Sequence, residues 1–118
     1  MAILGLYGVG LLLFPLTFGG FWPWPIDVFH AQIYSTVFFT AAVATGLLAG
    51  SAHRLDLLAV GLFETLLGLV AVAGAIAADA KLDRIDWSTP GSIVWVAGCL
   101  VIAALGLITL SAAARASR

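Results

Sequence analysis

A chain of 118 residues that is 63 % hydrophobic, 9 % charged and of mean hydropathy +1.15 lacks the polar residues needed to clothe a water-exposed globule. Lipid is its expected solvent, and the length leaves room for one domain of four membrane spans with short loops and no soluble catalytic module. A net charge of −1 without a basic patch argues against nucleic acid as a partner, and a single cysteine, Cys99, excludes an internal disulfide.

The first predicted span covers 2–21. It lacks the charged leader and the small-residue cleavage site of a signal peptide, so a retained helix is expected. Pro15 removes a backbone donor and should kink this helix, while Gly5, Gly8 and Gly10 should let a neighbour approach closely. The turn that follows, GGFWPWPID, carries Trp22 and Trp24 at the expected headgroup boundary. The simple reading is an aromatic belt. The functional one is a platform for a quinone, a pigment or a partner helix.

The second span covers 28–52. Ala42, Gly46 and Gly50 recur every fourth residue, a pattern that predicts an intramolecular seam between two closely packed backbones. His30 and His53 sit near opposite ends of this segment, roughly 34 Å apart at 1.5 Å per residue, so they cannot share one haem iron. His30 alone is a candidate axial ligand to a haem or chlorophyll-type pigment; the plainer reading is an interfacial histidine. His53 and Arg54 suit a membrane-surface anchor.

A very short turn makes the third span, 57–78, run antiparallel to the second. It holds the chain's one carboxylate inside an apolar stretch, Glu64, near the expected bilayer midplane. On straight antiparallel helices Tyr7 is nearly level with Glu64, Thr40 and Thr45 lie within about one turn, and Gly106 is level with it. An ionised carboxylate there costs about 2.5–3.5 kcal/mol on insertion scales, which favours a neutral, hydrogen-bonded or partnered group. Three roles follow. Glu64 bonds a hydroxyl such as that of Tyr7, or meets a polar group of another subunit, or handles a proton or cation.

The polar stretch DAKLDRIDWSTP, 79–90, sets Ala78, Leu82 and Ile85 on one helical face and Asp79, Asp83 and Asp86 on another. This predicts a short helix lying on the membrane, with the acids solvated or holding a cation or a basic partner. Trp87 belongs to the same outer aromatic set. Thr89 followed by Pro90 is a cap-and-start signal for the fourth span, 91–113, which carries Trp95 near its outer end.

The expected fold is therefore an all-α integral membrane protein: four transmembrane helices, up-down-up-down, with a short interfacial helix between the third and fourth. Arg54, Arg115, Arg118 and the N-terminus gather on one side against Asp56 alone. Lys81 and Arg84 face four acids on the other, so the positive-inside rule places both termini in the cytoplasm of a prokaryotic inner membrane.

There is no phosphate loop, no C-x-x-C, no H-E-x-x-H and no nucleophile with a base in reach. The expectation is a non-catalytic accessory subunit of a larger integral-membrane assembly, respiratory or photosynthetic and so tied to electron transport. It would contact other membrane subunits and lipid, with no cofactor of its own and haem, pigment or quinone only as contacts. The alternative is a small homo-oligomeric binding or transport protein in which Glu64 carries a proton or cation.

Overall fold

The computed structural model describes residues 2–48, 50 and 53–115. Among them the elements are α1 (Ala2–Leu13), α2 (Pro15–Phe18), a 3₁₀ turn (Gly19–Phe21), α3 (Val28–Leu48), α4 (Arg54–Leu82) and α5 (Pro90–Arg115), with no strand. Three of these, α3, α4 and α5, are long and apolar enough to cross a membrane.

The first segment is not the single helix expected over 2–21. Proline disfavours helical backbone in the residue before it, and Phe14 accordingly sits at φ −130°, ψ 57°. The twelve residues of α1 reach only about 18 Å. Beyond the break the chain folds back on α1: the Phe18 ring lies against Gly10, and the Tyr7 hydroxyl donates to the Phe18 carbonyl at 3.2 Å.

The separate interfacial helix expected after the third span is also absent. α4 simply runs on to Leu82, where Asp83, at φ 47° and ψ 52°, ends it in the left-handed region. Asp tolerates that region better than most side chains, and its N–H closes on the Asp79 carbonyl at 2.8 Å. At 29 residues, α4 is roughly 44 Å long, more than a hydrocarbon core of about 30 Å requires. α5 begins as its sequence signal implies, with the Thr89 hydroxyl accepting from the Ser92 N–H at 3.3 Å and Pro90 as its first residue. The second span's last turn, 49, 51 and 52, lies outside the described residues, as does Arg118.

Two helix pairs dominate the packing, α4 with α5 and α1 with α3. In each the members run in opposite directions: Gly5 meets Ala42 and Gly8 meets Ser35 and Phe38, while Gly61 faces Gly106 and Gly68 faces Cys99 and Ala103. The Ala42–Gly46–Gly50 row is not the seam. Only Ala42 is used, and a Cβ on Gly46 would meet nothing within 4 Å.

The buried apolar side chains are almost all small: Ala31, Ala41, Ala75, Ala103 and Ala113, with Leu11 the only large one among the described residues. Large aliphatics point outward, as Leu16 does at 79 % exposure. In lipid, helices gain little by hiding Leu from a solvent as apolar as itself, and gain most from close backbone approach. The layout follows that rule.

Candidate functional site

The two helix pairs touch each other little along α3 and α4. At the end where α3 and α5 begin they are joined by the 3₁₀ turn, whose Gly20 carbonyl lies against Gly91. Trp22 follows at once. Its ring stacks on Tyr34 with centroids 4.7 Å apart and planes within 4°, and it meets Trp24 at 5.8 Å and Trp95 at 5.9 Å. Pro23 and Pro25 restrict the backbone on either side of Trp24, so three tryptophans from two segments converge.

This aromatic wall forms one side of a groove of about 760 Å³. The opposite side is the late half of α4, where Gly74, Ala75 and Ala78 leave room, and Asp79 and Arg84 stand at its polar edge. Leu82 and Ile85 line it too, so the apolar set foreseen for an interfacial helix does share a side, facing the groove. The Trp22 indole N–H is buried and has no acceptor.

The acids of the 79–90 stretch organise the loop itself. The Asp79 carboxylate accepts from the backbone N–H groups of Arg84 (2.9 Å) and Ile85 (2.8 Å) and from the Trp87 indole at 2.6 Å. That contact holds Trp87 away from the other three tryptophans, on an exposed surface. Asp86 accepts from the Ser88 hydroxyl at 2.6 Å and its backbone N–H at 2.9 Å, and these bonds hold its carboxyl below the usual carboxylate range. No group of three or more His, Cys, Asp or Glu placed to hold a metal ion occurs among the described residues.

His30 is tied to α3's start. Asp27 accepts from the His30 backbone N–H at 2.8 Å, capping the helix, and its other oxygen lies 2.8 Å from the His30 Nδ1. The backbone bond, with the ring bond second, lowers the Asp27 carboxyl. Only Nε2 is left to His30 as a ligating atom, and neither His30 nor His53 lines the groove or the two smaller cavities beside Tyr7 and Glu64. Because Asp27 is more acidic folded than unfolded, its support of α3 is complete above the ordinary carboxylate pKa of about 4 and fades as pH falls through the folded value. Thermal melts followed by circular dichroism should show Asp27→Ala below the natural chain at pH 7, with the gap closing as pH falls through the lowered folded value. A gap independent of pH would overturn this.

Glu64 lies at the other end of the bundle. It is 4 % exposed, its Oε1 has no hydrogen-bond partner, and it faces a second cavity of about 270 Å³. Of the residues expected around it, Thr45 is there and Gly106 packs against the adjoining Thr65. Tyr7 is engaged by Phe18 and lines a different cavity, of about 280 Å³, beside Cys99, while Thr40 is exposed.

Comparison of the chain with protein-family models, with curated proteins and with solved structures finds no match in any of the three. The functional reading therefore rests on geometry alone.

Two residues that matter here carry weak sequence signals. Thr109 of the Glu64 cavity is one hydroxyl in an apolar helix. Asp79 reads as one of several solvated acids, and only its spacing to Trp87 hints at a loop folded back on the helix end.

Proposed function

We propose that the chain is a non-catalytic subunit of a larger integral-membrane assembly and that its aromatic groove seats an apolar partner helix or lipid. The observation behind this is the groove itself: two well-packed helix pairs joined at one end, with three tryptophans and a small-residue helix face left facing each other. Half-exposed aromatics beside small residues offer a partner helix close contact. An energy-transducing host, respiratory or photosynthetic, remains the proposed setting.

The proposed topology has four passes, alternately up and down. The first is α1 together with α2 and the 3₁₀ turn, a pass made beside α3. Arg54, Arg115 and the N-terminus would face the cytoplasm of a prokaryotic inner membrane, by the excess of basic residues there.

The test is to express the full tagged chain in its own host, extract it in mild detergent, and measure mass and absorbance. Co-purification of other subunits in fixed ratio supports the proposal. A particle holding only this chain overturns it. That outcome would move weight to the second reading, a small homo-oligomeric binding or transport protein, which the unpartnered Glu64 carboxylate favours.

A further inference from the structure

The cavity at Glu64 lies at the opposite end of the bundle from the groove and is independent of the subunit proposal. Thr45 of α3, Asp56, Val60 and Glu64 of α4, and Thr109 of α5 are among its walls. Asp56 stands two turns nearer the start of α4, roughly 12 Å along the axis, and is half-buried.

Its polar lining is mostly acceptors, with the Thr45 hydroxyl the one side chain there able to donate among the described residues. The Thr109 hydroxyl gives its proton to the Leu105 carbonyl at 3.0 Å, and the adjoining Thr65 hydroxyl gives its own to Gly61 at 2.7 Å. Each is left with oxygen lone pairs only. Glu64 Oε1 adds another acceptor, buried and unpaired. Among the described residues, no basic side chain lines the cavity. A buried carboxylate oxygen without a donor is costly, so the site calls for a ligand that brings N–H or O–H groups and positive charge.

The walls narrow the choice. Leu57, Val60 and Leu105 are hydrocarbon, and about 270 Å³ is the space of roughly nine waters. A bare metal ion needs several oxygens at close range and would leave most of that volume empty. An alkyl chain would fill it.

We propose that this cavity binds a small alkylammonium ion. Its ammonium group donates to the Glu64 carboxylate, which turns into the cavity to accept it, and to the Thr109 hydroxyl oxygen, and its alkyl body lies against Val60 and Leu105.

The test titrates the full chain, in detergent with whatever accompanies it, with n-butylammonium chloride, with sodium chloride and with 1-butanol in a calorimeter. Butylammonium should bind saturably and about tenfold or more tighter than the other two, as a charge-assisted hydrogen bond implies. Glu64→Gln should weaken it by a similar factor, and Thr109→Val by about threefold. Equal binding of sodium or of butanol overturns the proposal, as does an unchanged affinity in Glu64→Gln. Should that variant fail to fold, carbodiimide modification of Glu64 in the natural chain, read by peptide mass, decides. Trimethylammonium, which keeps an N–H donor but as a tertiary amine forms no amide with the activated carboxyl, should slow it about fivefold or more by occupying the carboxyl. An unaltered rate overturns the proposal. Neither measurement depends on which subunits accompany the chain, so its failure leaves the groove proposal intact.

Discussion

Replacing Gly106 by valine should unfold the α4–α5 pair. A Cβ at that position would lie 2.5 Å from both the backbone nitrogen and the hydroxyl of Thr65, and 2.7 Å from the Gly61 carbonyl. Two of those three atoms are backbone, held on a neighbouring helix, so they cannot step aside as a side-chain tip does. Gly68 is as tight, facing the Cys99 carbonyl and Ala103. Overpacking a close-packed site typically costs 1–3 kcal/mol, and separating two helices forfeits their whole interface, so a loss of about 3 kcal/mol or more is expected. Gly74 and Gly98 are the controls, since a Cβ there meets nothing within 4 Å. Alanine at either should be neutral, or stabilising by about 0.5–1 kcal/mol from helix propensity. Denaturation in mixed detergent, followed by circular dichroism, reads all three variants. Equal stability of Gly106→Val and Gly74→Ala would mean that α4 and α5 do not pack through this seam.

The second large effect is expected from Trp22→Ala. That ring stacks on Tyr34 and touches Trp24, Trp95 and Phe38, so it joins the α1–α3 pair to α5 at the end where the pairs otherwise diverge. Truncating a fully buried tryptophan typically costs about 3–5 kcal/mol; Trp22 is half-buried, so about 2–3 kcal/mol is expected, and the two pairs would also lose their register. Trp87→Phe is the comparison. It removes one hydrogen bond to Asp79 on an exposed surface, for a loss near 1 kcal/mol. Thermal stability of the purified variants measures both. If Trp22 anchors the groove, Trp22→Ala also lowers the yield of co-purified subunits, whereas Trp87→Phe leaves it unchanged. A Trp22→Ala protein as stable as Trp87→Phe would remove the aromatic wall from the account.

How much of this was legible beforehand depended on the range of the interaction. Pro15 acts on its own neighbour, so a disruption near it was readable; that the chain would fold back until Phe18 covers Gly10 was not, because a kink angle is set by what the next turn can pack against. Thr89 and Pro90 are local signals, and α5 starts where they say. The Ala42–Gly46–Gly50 row shows the opposite case. Spacing states that a close approach is allowed, but only a partner surface can use it, and the chain used Gly61, Gly68 and Gly106 instead. Glu64 was conspicuous because a carboxylate in an apolar run is costly anywhere in lipid.

Composition and periodicity by themselves determined that the chain is helical, apolar in long runs, and marked by one carboxylate inside them. These follow from the solvent and from backbone hydrogen bonding, which act residue by residue. Tertiary structure alone decided that Tyr7 turns to Phe18 while Thr45 and Thr109 gather at Glu64. It also decided that α4 runs on to Leu82, with Asp79 folding the loop back onto it. Those outcomes depend on which helix faces which, and in lipid that is settled by the fit of small residues across a seam rather than by hydrophobicity, which nearly every position here shares.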